Sequence, residues 1–219
     1  MGIARAEDSK LAPIGNQIQI LNVTATETSP LPGVLEPPRR WSFDELHDSI
    51  EETTQPHELW DGELIMSPAP SFFHQLLVGR LYRAVAQWVE PRKLGQVVMA
   101  PLDMVLTQHH VTQPDVLFIA NERRAIIRDH VQGAADIVAE VMSPGSRRRD
   151  RIDKRDLYEQ HGVREYWIVD PDAQTVEVFF LEGAQYALVG RWRPGESATS
   201  RLLPGMTVSV QWLFTGEEH

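Results

Sequence analysis

Apolar positions follow two different periods along this chain. Over residues 72–93, Leu76, Leu77, Leu81, Ala84, Val85 and Trp88 recur at helical spacing and make one apolar face. Gly95 stands just beyond, where a C-terminal cap belongs. From Gln96 the period switches to two, and strands are expected at 96–106, 111–120 and 137–142. A second helix is expected over 147–161, stopped by Gly162, then strands at 165–169, 175–181, 186–189 and 206–210. Upstream, Ser42-Phe43-Asp44-Glu45 is a capping-box pattern that opens a short helix ending near Glu51. Asp61-Gly62, between 57–60 and 63–66, is a two-residue hairpin signal.

That order predicts an α/β fold of the mixed kind: a central mixed β-sheet flanked by helices. Residues 1–40 show no sustained period and hold Pro30, Pro32, Pro37 and Pro38. They read as a loosely ordered arm, with one strand at 17–21, ahead of a single domain over 41–215.

Composition narrows the chemistry. The 219 residues are 42% hydrophobic and 24% charged, as in an ordinary globular domain. There is no cysteine, which excludes disulfides, zinc–thiolate sites and cysteine nucleophiles. No apolar run approaches the length that spans a bilayer, and residues 1–10 lack the apolar stretch of a secretory signal, so a cytoplasmic protein without membrane contact is expected. The net charge of −10 disfavours a protein that grips DNA by general electrostatics. Residues 147–156 run against that trend, with six basic and three acidic residues, and offer a basic patch to phosphate.

Carboxylates interrupt three apolar strands. Asp115 follows Pro114 and precedes Val116-Leu117-Phe118-Ile119; Glu140 lies within Ile137-Val138-Ala139-Glu140-Val141-Met142; Asp103 lies between Leu102 and Met104. A carboxylate in such a run pairs, binds a cation or sits at an open strand end. Adjacent strands would bring Asp115 and Glu140 together, and a divalent cation would relieve their repulsion. Asp150, Lys154 and Tyr158 share one helix face by their spacing. Lys154 is thereby a candidate to neutralise charge developing on a phosphate. His74 opens the long helix, either bonded to backbone or near the site; His109 and His110 read as loop residues and Trp167 as core. P-loop, dinucleotide-binding and zincin motifs are absent, and Ser143 has no base spelled out beside it.

Several stretches carry a resemblance. They are Glu58-Leu59-Trp60-Asp61-Gly62-Glu63-Leu64, Ser67-Pro68-Ala69-Pro70 leading to His74-Gln75, and Gln113-Pro114-Asp115-Val116. Glu140-Val141-Met142-Ser143-Pro144 follows, then Asp150, Lys154, Tyr158 and Gly162-Val163-Arg164-Glu165-Tyr166-Trp167. In this order they resemble the Uma-type family of restriction endonucleases, within the PD-(D/E)xK superfamily. The resemblance implies a restriction endonuclease-like core and a nuclease that hydrolyses phosphodiester bonds, with Mg²⁺ or Mn²⁺ as cofactor and DNA as partner. It implies Asp115 and Glu140 as metal ligands with the carbonyl of Val141, and Glu58 as a further acid of the site. Met142 stands where the simple ExK pattern has lysine, and the family's lysine on the following helix is here Lys154. A homodimer is a further expectation for such a fold. The competing expectation is a nuclease-fold module without catalysis that binds nucleic acid or a protein partner.

Overall fold

The computed structural model describes residues 39–49 and 57–217. The expected arm, its strand at 17–21 and the end of the first helix near Glu51 lie outside the described residues. Helix α1 (Phe43–Ser49) is held by the capping box: Ser42 Oγ accepts from the Glu45 amide at 3.2 Å, and Glu45 accepts from the Ser42 amide at 2.9 Å. Strands β1 (His57–Trp60) and β2 (Glu63–Met66) form the expected hairpin. Asp61 and Gly62 both take positive φ, 50° and 79°, as a two-residue hairpin turn requires. A Cβ on Gly62 would lie 2.8 Å from the Trp41 carbonyl, so both conformation and space demand glycine there.

Helix α2 (Phe72–Val89) starts at Ser71, whose hydroxyl accepts from the His74 amide at 3.2 Å. Its apolar face, including Leu77, Val78, Leu81, Val85 and Val89, is buried. The strand expected at 96–106 is two strands, β3 (Gly95–Met99) and β4 (Met104–Thr107). That expected at 111–120 is also two, β5 (His110–Thr112) and β6 (Val116–Ala120). The breaks fall at Pro101 and Pro114, which have no amide hydrogen to give a ladder. A 3₁₀ turn (Asn121–Ile126) and the short β7 (Val131–Gln132) lead to β8 (Ile137–Val141). A π-helical turn (Arg149–Lys154) runs directly into α3 (Arg155–His161). Strands β9 (Glu165–Asp170), β10 (Thr175–Glu182), β11 (Gln185–Trp192), β12 (Ser197–Thr199) and β13 (Thr207–Ser209) follow. A last helix, α4 (Val210–Thr215), completes the described chain, where the sequence reading has only a strand over 206–210.

The central sheet has six strands in the order β11-β10-β9-β8-β6-β3. It is mixed, because β8 and β9 run parallel while β6 and β8 run antiparallel. The broken strands also send β4 and β5 into a second, five-stranded sheet, β2-β1-β5-β4-β7. One face of the central sheet packs on α2 and α4 through Leu77, Leu81, Val116, Ala139, Val169 and Leu213. Leu117, Val138, Met142 and Ile168 face the other side, with Tyr158 and Met104. Among the described residues, no helix is long and apolar enough to cross a membrane.

The arginine-rich segment does a different job from the one its charge suggests. Arg147 donates to Asp170 Oδ2 at 2.7 Å, and Arg151 donates to the same oxygen at 3.1 Å and to Glu177 Oε2 at 2.9 Å. Arg155 pairs with Asp156, and Lys154 is buried. Only Arg148 and Arg149 of this run lack an ion pair among the described residues. The expected basic patch is therefore mostly spent on docking the helix to β9 and β10. Burial pushes the Asp170 carboxyl upward, but the Ala173 amide, Arg147 and Arg151 outweigh it and hold it below its ordinary range. Its stabilisation is present above the unfolded-state value of about 3.9 and fades as pH falls through the lower native value. Asp170→Asn is expected to cost about 2–3 kcal/mol at neutral pH. Urea denaturation across the acid range checks this, the variant showing the flatter pH profile.

Candidate active site

The site begins where strand alternation places polar groups among apolar neighbours. All five residues of β8 are buried, Glu140 included. Leu117 pairs with Val138 and Val116 with Ala139 across β6 and β8. Carried one residue further, this register sets Asp115, at the open end of β6, across from Glu140. The Val141 amide donates to Asp115 Oδ2 at 2.7 Å, which ties the two strand ends together. Glu140 alternates with Val138 and Met142, so it faces the same side as the π turn and α3.

That helical segment brings Asp150, Lys154 and Tyr158 inward on one face, all of them buried. Lys154 Nζ lies 2.8 Å from Glu140 Oε1, 2.9 Å from Glu58 Oε1 and 3.7 Å from Asp150 Oδ1. The Tyr158 hydroxyl donates to Glu140 Oε1 at 2.7 Å. Glu58 arrives from β1, where it also accepts from Trp60 Nε1 at 3.1 Å and from the Gln113 amide at 3.3 Å. Ser146 Oγ donates to Asp150 Oδ2 at 2.6 Å. Three carboxylates thus share one ammonium, and Asp115 stands close enough to act on both Glu140 and Asp150.

The surplus of negative charge is visible in proton affinities. Burial raises that of Glu140 well above the ordinary range; Lys154 opposes this, while Asp115, Asp150 and Glu58 add to it. Asp150 is raised for the same reason, burial first. Glu58 is lowered, because Lys154, Trp60 and Gln113 together outweigh its burial. Burial pulls the Lys154 ammonium down, but Glu140 and Glu58 raise it well above its ordinary value and keep it charged.

His74 completes the arrangement from the first turn of α2. Its Nε2 lies 2.8 Å from the Val141 carbonyl and 3.3 Å from Asp115 Oδ2. Both partners can only accept, so Nε2 carries a proton and donates. Burial disfavours the charged ring, but the bond to Asp115 and its charge, with the Val141 carbonyl, raise its pKa. By sequence alone His74 is either bonded to backbone or near the site. The signal for it was the Ser71 cap, which fixes His74 three residues into a helix that begins against the end of β8.

Asp115, Glu140, Val141, Lys154 and Glu58 are therefore gathered in one place, and Asp150, Tyr158 and His74 join them. Asp103 is set back from this group: its Oδ1 accepts from Gln113 Nε2 at 2.8 Å. His110 lies 3.3 Å from Asp61 at the hairpin turn, and Trp167 is buried in the core. Among the described residues, no group of three or more His, Asp or Glu side chains is disposed to hold a metal ion by itself. The donors that remain suit a hard divalent ion nonetheless. Both hydrogen bonds to Glu140 end on Oε1 and both polar contacts of Asp115 on Oδ2, leaving the second oxygen of each carboxylate for a further ligand. Magnesium favours one or two carboxylates completed by water, and this set fits it.

Comparison with known proteins supplies a family and a fold. Residues 43–211 match the model of the Uma2 family, described as "Putative restriction endonuclease". The chain belongs to the Uma2 family. Its fold is also that of a solved structure, described as a "putative nuclease belonging to DUF820" from Anabaena variabilis. The TM-score is 0.67 at 20% identity, over 80% of this chain and 97% of that one. No curated protein matches the chain. Uma2 membership supports a nuclease, a hydrolase of phosphodiester bonds, and the solved neighbour shows the fold.

Proposed function

We propose that this Uma2 protein is a divalent-metal-dependent endonuclease acting on DNA. The observation that carries the reading is the crowding of Glu58, Glu140 and Asp150 around the single ammonium of Lys154, with Asp115 alongside. So many acids gathered in a buried place are costly unless further positive charge arrives. Asp115, Glu140 and the Val141 carbonyl would hold magnesium or manganese. When bound, the ion supplies Lewis acidity and a water of lowered pKa.

The chain's own residues do the rest. His74 donates to Asp115 and to the Val141 carbonyl, fixing both at the end of the sheet. Tyr158 orients Glu140 by holding its Oε1. Lys154 keeps its proton and presents a charge to the phosphate in a site shielded from water, where such a charge counts most. Glu58 and Glu140 hold that ammonium in position. The family's description as a restriction endonuclease supports DNA as the substrate.

The test is cleavage of supercoiled plasmid by the full chain. Nicking and linearisation are expected with Mg²⁺ or Mn²⁺ and are abolished by EDTA. Binding of nucleic acid without metal-dependent cleavage would instead support a non-catalytic module.

A further inference from the structure

An open groove of about 390 Å³ runs along α2, lined by Gln75, Leu76, Gly79, Arg80, Arg83 and Gly216. At 100° per residue these α2 positions share the side of the helix away from the core. We propose that this groove holds the phosphate backbone of a nucleic-acid strand, with Arg83 as its principal cation and Gly79 as its floor. The inference rests on the nucleic-acid reading of the site and adds a place where the strand is gripped outside it.

Gly79 is the first reason. A glycine inside a helix costs about 1 kcal/mol relative to alanine. Here φ is not positive, and a Cβ built on Gly79 meets nothing within 4 Å. Neither backbone conformation nor the protein's own packing calls for glycine, whereas a closely approaching ligand does. Charge is the second reason. In a chain of net charge −10, the groove is lined by two arginines and no carboxylate. Arg83 is exposed, has no acidic partner among the described residues, and stacks on Trp212 with its guanidinium 4.7 Å from the ring centre. Arg80 is held by the Leu213 and Phe214 carbonyls at 2.9 Å each and makes a fixed wall. The third reason is Phe72, which is 85% exposed on the same side of α2, one to two turns before Gly79. A free aromatic face beside a backbone track suits the stacking of an unpaired base. Gly79 is five residues from His74, about 7.5 Å along the helix axis, so the groove and the acids share the N-terminal half of α2.

Binding of a fluorescein-labelled oligothymidylate, read by anisotropy in EDTA on an Asp115→Asn background, separates this groove from cleavage. Gly79→Leu is expected to weaken binding about tenfold or more while leaving thermal stability equal or higher, since leucine is the better helix former. Arg83→Ala is expected to weaken binding and to lower the slope of log Kd against log salt by about one. Gly79→Leu binding as tightly as its parent would overturn the proposal. So would sedimentation showing a parent dimer that Gly79→Leu dissociates, because the groove would then hold a second copy. Gly79-sensitive binding in a chain that cleaves nothing would uphold the groove and sink the nuclease reading.

Discussion

Lys154→Met is expected to lower the unfolding free energy by about 3–5 kcal/mol, the largest stability loss from a single change in the site. The Lys154 side chain is only 8% exposed and faces three carboxylates within 4 Å. Methionine fills much of the volume but removes the one ammonium that offsets them. Glu58 and Glu140, both buried, would then face each other uncompensated and take up protons. Partial rescue is expected from Glu140→Gln in the same chain, because it removes one of the stranded charges. Urea denaturation of the single and double variants reads both effects, as a coupling between neighbouring sites. A loss below about 1 kcal/mol would mean that water already screens this cluster.

Asp115→Asn has the opposite profile. Cleavage is expected to fall by about 10³-fold or more, the scale seen when one preorganised electrostatic group is lost. The fold should persist, since the asparagine oxygen can still accept from the Val141 amide and from His74. Stability is expected to stay level or rise slightly, because one of the charges acting against Glu140 and Asp150 is gone. A rise in stability with a loss of activity is the mark of charges kept together for chemistry. Plasmid cleavage at saturating Mg²⁺, with thermal melts of both proteins, measures the pair. Cleavage within tenfold of the parent would remove Asp115 from the reaction.

The periodic parts of this fold were legible in the sequence. The apolar stripe of α2, the Asp61-Gly62 turn and the strands from Glu165 to Leu181 each rest on a local signal, and local signals decide there. Two strands were misjudged because an apolar, β-branched run looks continuous even where the chain passes from one sheet to another. Pro101 and Pro114 marked both breaks. Helix α4 was missed because Val210-Gln211-Trp212-Leu213-Phe214 is short and rich in strand-favouring residues. Its N-cap Ser209, which accepts from the Trp212 amide at 3.2 Å, was the signal available.

The candidate site was legible as residue types and only partly as geometry. Asp115 and Glu140 stood out as charges in apolar strands, and Lys154 as part of a helix face. That Glu58 shares Lys154 with Glu140 depends on β1 joining β5, a pairing between distant segments that no local period encodes. The arginine run was misleading for a similar reason. Its acidic partners, Asp170 and Glu177, lie on β9 and β10, and only the tertiary fold sets them opposite Arg147 and Arg151.

Crystals of the wild-type chain soaked in Mn²⁺ test the metal assignment directly. One anomalous peak is expected, about 2.0–2.2 Å from oxygens of Asp115 and Glu140 and beside the Val141 carbonyl. Crystals with no such peak, and Lys154 still spanning Glu58 and Glu140, would contradict the assignment.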